Sequence, residues 1–226
     1  MPAEISLVIP TLNAGDELLE CLEALMEGLA TGLIRELIIT DGGSQDATDK
    51  IADAAGAQFI QGPASRGGQL QRGCKLAKGN WLLVLHADTQ LEAGWSKVVS
   101  QHLRDGRGRP AYFRLRFRAR GIMPRLVASW ANLRSRMFGL PYGDQALLIQ
   151  RSDYNAAGGY RDQVLMEDVA LVRRLNRVVE LPVHAMTSAI RYQKQGWLRR
   201  GGRNLWLLLR YTLGAQPETL AKSYNK

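Results

Sequence analysis

Short apolar runs alternate with longer amphipathic stretches over the first hundred residues of the chain. The runs predict strands over residues 5–9, 37–40, 58–60 and 81–85, and the stretches predict helices near 15–30, 46–55 and 66–78. Strands that are joined by helices run parallel in one sheet, with helices packed on both of its faces. The pattern therefore predicts an α/β fold built on a central, mostly parallel twisted sheet flanked by helices.

The pattern of the second hundred residues is different. Apolar and basic residues alternate over 112–118, which predicts a half-exposed strand whose arginines face solvent or an anion. Residues 121–140 predict a helix with Trp130 and Met137 on its apolar side, and residues 145–150 predict a further strand. We expect these elements to belong to the same domain as the first hundred residues.

The last segment of the chain, residues 196–226, predicts a basic amphipathic helix. Residues 197–211 combine arginines with leucines and two tryptophans, which is typical of helices in the headgroup region of an anionic membrane. The same composition describes a helix docked on its own domain or on a partner subunit. Gly201 and Gly202 mark a point where the helix can be interrupted. We expect a single domain over 1–195 and a C-terminal amphipathic helical segment after it.

The net charge of +9 is distributed unevenly along the chain. Residues 1–106 contain 8 Lys and Arg against 14 Asp and Glu, whereas residues 107–226 contain 22 against 7. The domain is therefore expected to have two halves, 1–106 and 107–195. A basic half can bind nucleic acid, anionic lipid or a phosphorylated substrate. Because its basic residues are dispersed among apolar ones and form no nucleic-acid-binding motif, we expect no nucleic-acid partner.

The cysteines and the N-terminus indicate the cellular compartment. Cys21 and Cys74 have neither metal-ligand spacing nor a disulfide framework, so reduced thiols are expected. The N-terminal residues lack the basic region and apolar core of a signal peptide, and no apolar run is long enough to span a bilayer. We expect a cytoplasmic protein, and we leave open both peripheral attachment to the inner face of the membrane and homo-oligomer formation.

Two acidic residues directly follow predicted strands. Asp88 lies in His86-Ala87-Asp88-Thr89, and Asp41 begins the turn Asp41-Gly42-Gly43-Ser44. In open α/β sheets ligands bind at the carboxyl ends of the strands, where an acid can hold a divalent cation against a phosphate. Taken alone, either acid is explained equally well by ordinary turn or capping chemistry.

Three further clusters contain polar residues suited to ligand binding. In Arg66-Gly67-Gly68-Gln69-Leu70-Gln71-Arg72, a glycine-containing helix start with Arg66 or Arg72 can grip a pyrophosphate. The other clusters are Gly143-Asp144-Gln145 and, at a predicted helix start, Glu167-Asp168. The structural alternatives for the three are a surface helix start, a tight turn and a helix cap, respectively.

The order of these motifs resembles that of a known enzyme family. The chain presents in succession Val8 to Asn13, Asp41 to Ser44, His86 to Thr89 and Glu167-Asp168. This succession resembles the family 2 inverting glycosyltransferases with the GT-A fold. Arg66-Gly67-Gly68-Gln69 together with Leu85 to Thr89 looks most like the small bacterial branch of arsenosugar-biosynthesis-type glycosyltransferases. The resemblance implies a GT-A-type nucleotide-binding fold, with a nucleotide-sugar half over 1–106 and an acceptor half over 107–195.

The resemblance also implies which residues bind the nucleotide. Pro10, Thr11 and Asn13 would lie against the nucleoside, and Asp41 would hydrogen-bond the uracil or the ribose. Asn13 is followed by Ala14 where the family usually has Glu, so one expected polar contact is absent. The other residues expected on the nucleotide side are Gly42, Arg66, Gln69, Arg72, His86 and Ala87.

The metal and the catalytic groups are implied in the same way. Asp88 would bind Mg²⁺ or Mn²⁺ bridging the diphosphate, Asp168 would be the general base, and Glu167 would support it. His86 stands where the family commonly has the first Asp of an Asp-X-Asp motif, and it can bind the metal, orient the ribose or be a hydrogen-bonded residue at a strand end. The residues expected on the acceptor or diphosphate side are Asp144, Gln145 and Arg191, with Arg66, Arg72 or Arg191 helping to neutralise the leaving diphosphate.

The reaction implied is transfer of a sugar, with inversion at its anomeric carbon, from a UDP-sugar to a hydroxyl of an unidentified acceptor. Such a transfer requires a base for the hydroxyl and positive charge at the departing diphosphate. Two alternatives remain open, a nucleotidyltransferase and a noncatalytic anion- or lipid-binding module that uses the basic half. The first usually has a glycine-rich basic loop at its first strand, which this chain lacks, and the second has little use for three acids near its ligand.

Overall fold

The computed structural model describes residues 3–105 and 108–224 of the 226-residue chain. The boundary expected between the two halves, at residues 106 and 107, lies outside the described residues, as do the last two residues of the C-terminal segment. The first part of the chain forms β1 (Ile5–Thr11), α1 (Gly15–Ala30), β2 (Ile34–Asp41), α2 (Thr48–Ala54), β3 (Gln58–Gln61), α3 (Arg66–Leu76) and β4 (Trp81–Val84). The alternation predicted from the apolar runs is confirmed here, with element ends shifted by a few residues.

The rest of the chain adds four strands and seven helices within the described residues. They are β5 (Thr89–Leu91), α4 (Trp95–Asp105), β6 (Ala111–Phe117), α5 (Ile122–Phe138), β7 (Leu147–Gln150), α6 (Arg151–Ala156), α7 (Glu167–Val172), β8 (Val179–Thr187), α8 (Ile190–Gln195), α9 (Trp197–Thr212) and α10 (Pro217–Tyr224). A single 3₁₀ turn, Gly143–Gln145, precedes β7.

All eight strands form one sheet in the order β3-β2-β1-β4-β7-β6-β8-β5. The strands from β3 to β4 run parallel, β7 runs antiparallel to both of its neighbours, β6 and β8 are parallel, and β5 is antiparallel to β8. The predicted mostly parallel sheet flanked by helices is therefore confirmed, with the antiparallel pairs confined to its second half.

The core lies on both faces of the parallel strands. Alternate residues of β1 point to opposite faces, so that Leu7 packs with Leu18 and Trp95 on one side while Val8 packs with Leu70 on the other. Strands that are buried on both faces read as continuous apolar runs, which explains why the sequence located them. Both faces together hold the carboxyl ends of β1, β2 and β4 in fixed positions.

Trp130 and Met137 lie on one apolar side of α5, as expected, and this side is exposed, because α5 packs on β6 through its small residues, including Ala128 and Ala131. Two other expectations for the second half of the chain require correction. The strand expected from residue 145 begins at Leu147, since the preceding residues form the 3₁₀ turn. Helix α9 continues through both of its glycines, because neighbouring elements hold it by packing contacts.

The arginines of β6 pair with carboxylates. Arg114 donates from Nε to Glu180 at 2.7 Å, and Arg116 lies 3.3 Å from Glu92. In the loop that follows, Arg118 pairs with Glu20. These three side chains pair with carboxylates of the protein, and Arg116 is also 59% exposed to solvent.

Helices α9 and α10 pack on the domain through a small apolar cluster. Leu207 and Leu220 are buried in it against Met166 and Val169, which flank the Glu167-Asp168 pair. The inner face of the C-terminal segment therefore contacts its own domain. Across the described ranges, none of the helices has both the length and the apolar character needed to cross a membrane.

Candidate functional site

A cleft lies beyond the carboxyl ends of β1, β2 and β4. The register pairs Val8 with Val84 and Thr11 with Asp41, so the residues that follow these strands share one edge of the sheet. This is the edge at which open α/β sheets bind ligands. The cavity has a volume of about 510 Å³, within the range of small-molecule sites. The expected residues that line it are Pro10, Thr11, Asn13, Arg66, Gln69, His86, Ala87, Asp88 and Arg191.

Asp41 does not line this cleft. Its carboxylate is fully buried and accepts hydrogen bonds from the Thr11 hydroxyl at 2.9 Å and from the backbone N–H groups of Gly43 and Ser44 at 2.7 Å each. The Ser44 hydroxyl donates a further bond. Burial raises the pKa of Asp41, but these hydrogen bonds outweigh it and hold the pKa below its usual value. The carboxylate is thus saturated by its own chain and fixes the turn behind Thr11.

Gln69 connects the two strand ends that form this wall of the cleft. Its amide nitrogen donates to the carbonyl oxygens of Thr11, at 2.7 Å, and of Thr40, at 2.8 Å. Gly42 lies directly against it, because a Cβ at Gly42 would stand 3.2 Å from Gln69 Oε1 and 3.3 Å from Ala64 Cα. Gly42 therefore supports the wall by close packing and is not among the residues that line the cleft.

Asn13 joins the first loop to the turn after β2. Its N–H donates to the Ser44 hydroxyl at 2.7 Å, and its Oδ1 accepts from the Gln45 N–H at 2.8 Å. It adopts a left-handed backbone conformation, with φ of 50°, which Asn tolerates better than most residues. The Asn13 side chain is thus positioned at the mouth of the cleft.

Two of the expected residues lie away from the cleft. Arg72 donates from α3 to the Pro63 carbonyl at 3.0 Å and lines a separate cavity. Gln145 is completely buried and bonds to the Ser135 hydroxyl at 2.7 Å and to the Phe113 carbonyl at 3.3 Å. Arg72 does not line the cleft in this structure, and Gln145 is a structural residue of the 3₁₀ turn.

A second, smaller recess of about 120 Å³ adjoins the cleft. Arg66, His86, Asp88 and Arg191 line both cavities. The recess also contains the remaining predicted acids, Asp144, Glu167 and Asp168. Acids that lie 80 residues apart in sequence, Asp88 and Asp168, thus share one recess with three arginines.

Asp168 is held by backbone groups. The N–H of Gly143 donates to its Oδ2 at 2.6 Å, and the N–H of Val169 donates to its Oδ1 at 2.7 Å. A Cβ at Gly143 would stand 2.5 Å from His86 Nε2 and 3.4 Å from Asp168 Oδ2. The absence of a side chain at Gly143 is what allows the imidazole and the carboxylate to approach this closely.

Burial determines the protonation of the groups around Asp168. Burial raises the pKa of Glu167 to about 7, and Asp168 adds to this, whereas Arg66, with Nε 3.8 Å away, opposes it. Burial likewise raises the pKa of Asp144 to about 6, against the effect of Arg134. Among the described residues, Asp144 Oδ1 has no hydrogen-bond partner. The recess therefore contains two carboxyl groups, those of Glu167 and Asp144, that keep their protons to a higher pH than free carboxyl groups do.

His86 is neutral over the physiological range. Burial and the positive charge of Arg66 lower its pKa to about 3, with Arg191 adding to the decrease and Asp88 opposing it. A neutral imidazole can donate or accept a hydrogen bond, or bind a metal through a ring nitrogen.

The residues around Asp88 fit a divalent cation only with help from a ligand. Nowhere in the described ranges do three or more His, Cys, Asp or Glu side chains form a group that could hold a metal. What the cleft offers is the Asp88 carboxylate, whose sole hydrogen-bond donor among the described side chains is Thr89 at 3.3 Å, with His86 beside it. Mg²⁺ and Mn²⁺ sites completed by substrate phosphates and water use this kind of sparse protein donor set.

The wall of the recess contains residues that the sequence did not identify. Arg200 and Asn204, on the inner face of α9, line it together with Tyr224 of α10. Arg200 is buried and donates to Gln195 Oε1 at 2.8 Å and to the Tyr224 hydroxyl at 2.6 Å. The available signal in the sequence was that Arg200 and Asn204 lie four residues apart, and therefore on one side of the helix. A polar side that faces solvent explained this spacing equally well.

Comparison with known proteins identifies relatives of one kind. The model of a family described as glycosyl transferase family 2 matches residues 6–135. A PGL/p-HBAD biosynthesis glycosyltransferase of Mycobacterium bovis is 36% identical over 93 residues, which cover 38% of this chain and 36% of the relative. The glycosyltransferase GlyG of Streptococcus pneumoniae is 27% identical over 108 residues, covering 45% and 35% respectively. These matches span about a third of the length of either relative.

Solved structures show the same fold. Staphylococcus aureus TarS, residues 1–349 in complex with UDP-GlcNAc, superimposes with a TM-score of 0.61 at 12% identity, over 82% of this chain and 58% of that one. Glucosyl-3-phosphoglycerate synthase from Mycobacterium tuberculosis, in complex with Mn²⁺, UDP and phosphoglyceric acid, gives 0.57 at 21% identity, over 82% and 69%. The GT-A-type fold that the motifs imply is thereby confirmed.

Proposed function

The chain belongs to glycosyl transferase family 2, and from this premise we propose that it transfers a sugar from a UDP-sugar to a hydroxyl of an acceptor, with inversion and with a divalent cation. The observation that carries the proposal is the shared recess in which Asp88 and Asp168 lie beside Arg66 and Arg191. This reaction requires one carboxylate that can bind a cation and a second that can accept a proton, whereas simple anion binding requires neither.

The larger cleft is the proposed nucleotide site. Thr11 and Asn13 lie at its wall and mouth, and Arg66 and Arg191 supply positive charge where it meets the recess. Asp41 and Gly42 act indirectly, by fixing the turn that supports this wall. TarS and glucosyl-3-phosphoglycerate synthase, which share the fold, were crystallised with UDP-GlcNAc and with UDP, and this favours UDP as the nucleotide.

Asp88 is the proposed metal ligand, with His86 beside it. A bound Mg²⁺ or Mn²⁺ would supply positive charge at the diphosphate as it departs. Arg66 and Arg191 contribute to the same neutralisation from the protein side. The Mn²⁺ in the structure of the mycobacterial synthase supports a divalent cation here.

Asp168 is the proposed general base. Two backbone N–H groups hold its carboxylate in a fixed orientation within the recess, on the side away from the nucleotide cleft. An inverting reaction needs a base for the acceptor hydroxyl on the face opposite the leaving group. Glu167 supports Asp168 by its ion pair with Arg66, and Asp144 lies on the acceptor side of the recess.

A thermal-shift panel of nucleotides tests this assignment, because a bound ligand raises the melting temperature by mass action. UDP, GDP, ADP and CDP are each added with and without Mn²⁺. We expect UDP with Mn²⁺ to raise the melting temperature, and UDP without metal to raise it much less. Equal shifts for all four nucleotides, or stabilisation by triphosphates alone, would favour an anion-binding module or a nucleotidyltransferase instead.

The location of the reaction forms part of the proposal. The basic helix over 197–211 is proposed to place the enzyme at an anionic membrane surface, as a peripheral protein of the cytoplasmic face. Its inner side forms part of the recess through Arg200 and Asn204, so the helix is adjacent to the chemistry.

A further inference from the structure

Helix α5 carries a continuous row of exposed apolar side chains. Its members follow one another at spacings of four, four, three and four residues, which places them on one face of the helix. Each of them is between 46% and 74% exposed, and they are Ile122, Leu126, Trp130, Leu133 and Met137. Soluble proteins seldom expose a row of this length without a partner.

Helix α9 carries a second row, on the side opposite its buried face. Leu207 and Arg200 point into the domain, whereas the outward row is between 48% and 78% exposed and consists of Leu198, Trp206, Leu209 and Leu213. Helices α5 and α9 pack beside each other. We call the two rows, with the basic residues beside them, the α5–α9 face.

Neither helix of the α5–α9 face contains an acidic residue. Residues 106–143 and 181–217 contain no Asp or Glu, although they contain 15 of the 30 Lys and Arg of the chain. Arg125 on α5 and Arg199 and Arg210 on α9 lie next to the apolar rows in helical projection. None of the three forms an ion pair with any residue in the described part of the chain.

Helix α1 provides an internal comparison. It also exposes apolar side chains, including Leu19, Met26 and Leu29, but the neighbouring charges on that helix are Glu20, Glu23 and Glu27. An apolar row with acidic neighbours repels an anionic surface, whereas one with basic neighbours is attracted to it. Helix α1 therefore differs from α5 and α9 in the sign of the charges beside its exposed apolar side chains, and not in having such side chains.

We propose that the α5–α9 face is a docking surface for an anionic lipid bilayer, into which both apolar rows insert at the headgroup level. Exposed Trp130 and Trp206 suit this depth, since indole rings favour the membrane interface. Unpaired arginines beside apolar rows are complementary to anionic headgroups. The proposal extends membrane contact beyond residues 197–211 to a helix from the middle of the chain. It stands independently of the glycosyl-transfer chemistry.

Sedimentation with vesicles tests the docking surface. The whole chain is mixed with vesicles of phosphatidylcholine alone or with added phosphatidylglycerol. We expect binding to the anionic vesicles only, weakened by salt, with a blue shift of tryptophan emission that is smaller when Trp130 is replaced by Phe. The double variant Leu126→Ser with Trp130→Ser should reduce the partition coefficient roughly tenfold or more, since it removes two large inserted side chains.

Matched controls make the result specific. Leu19→Ser with Met26→Ser, at similarly exposed positions of α1, should leave binding unchanged, and circular dichroism should show both double variants folded. Equal loss of binding in both variants, binding to neutral vesicles as tight as to anionic ones, or no binding at all would overturn the proposal. It would also be overturned if the wild-type chain formed a dimer that the α5 substitutions abolished, because a second copy would then be what covers the face.

Discussion

At the scale of single residues, the two proposed catalytic groups are held differently. Asp168 receives two backbone hydrogen bonds that fix its orientation, whereas the Asp88 carboxylate has one long bond from Thr89. A base must be oriented toward a hydroxyl, and a metal ligand must keep lone pairs available for the cation. The pattern of hydrogen bonds therefore matches the proposed division of roles.

Asp168→Asn tests the base directly. The amide keeps the shape of the side chain but cannot accept the acceptor's proton, so turnover should fall by ~10²- to 10⁴-fold while the affinity for UDP is retained. Initial rates of UDP release, combined with calorimetric titration of UDP, measure the two effects separately. Near-normal turnover in this variant would remove Asp168 from the role.

Glu167→Gln tests the buried ion pair through pH. Burial raises the pKa of Glu167 from 4.5 in the unfolded chain to about 7 in the fold, so between these values the folded state holds a proton that the unfolded state has lost. The wild-type free energy of unfolding should therefore contain a component that is fully present below pH 4.5 and is lost as the pH rises through about 7.

The glutamine variant cannot ionise at this position and should lack that component. Urea unfolding of both proteins between about pH 5 and 8 measures it as a gap that changes in favour of the variant with rising pH. Parallel curves for the two proteins would show that Glu167 ionises as freely in the fold as in the unfolded chain.

How far the sequence could predict individual residues depended on what their side chains contact. Asp88 and Asp168 could be proposed from the sequence, because an acid directly after a predicted strand and a pair of acids at a predicted helix start are both visible in it. The environment of Asp41 was not visible, because its bonds to Thr11, Gly43 and Ser44 form only when β1 and β2 pair. That Arg72 lines a separate cavity was not visible either, because the direction of a side chain on α3 depends on how that helix packs.

At the scale of elements, the C-terminal helices complete the site. Leu207 and Leu220 anchor α9 and α10 on Met166 and Val169, immediately beside the Glu167-Asp168 pair. The same helices contribute Arg200, Asn204 and Tyr224 to the recess. The segment is thus a wall of the proposed acceptor site as well as the carrier of an exposed apolar row.

Leu207→Ala should loosen this wall. Leu207 is almost completely buried, so the truncation should cost about 2–5 kcal/mol of unfolding free energy, whereas Leu213→Ala at an exposed position of the adjacent turn should change it by less than about 0.5 kcal/mol. Chemical denaturation of the two variants provides the comparison. Equal, small effects would mean that α9 is not anchored by this residue.

The pattern of apolar residues located elements better than it assigned their faces. The strands β1, β2 and β4 are buried on both sides and were found from apolar runs alone. Helix α5 was found as well, with Trp130 and Met137 on its apolar side, but the sequence did not show whether this side is buried or exposed. The helix packs on β6 through the small side chains of Ala128 and Ala131 instead.

At the scale of the whole molecule, the proposed function depends on two parts of one sheet. Asp88 follows the parallel strand β4, and Asp168 lies on α7 in the mixed part that begins with β7. The pairing of β4 with β7 joins these parts, and the recess lies where they meet. The order of the motifs predicted this convergence through a family resemblance, whereas composition and periodicity alone could not have paired β4 with β7.

The basic residues of the second half of the chain have two different kinds of surroundings in the fold. Some basic residues of the second half pair with carboxylates, including Arg114 of β6 and Arg136 of α5. Others, including Arg125 of α5 and Arg199 of α9, are exposed and form no ion pair in the described part of the chain. Net charge alone could not separate these two uses. The fold separates them, because it brings some arginines within ion-pair distance of acidic side chains and leaves others without such a partner.

The most direct test of the central claim is calorimetric titration of UDP into the wild-type chain, Asp88→Ala and Asp168→Asn, each with and without Mn²⁺. If the cation is held between Asp88 and the diphosphate while Asp168 acts only on the acceptor, Mn²⁺ should strengthen UDP binding in the wild type and in Asp168→Asn, and should have no such effect in Asp88→Ala. Binding of UDP with the same affinity in all six titrations would contradict the account.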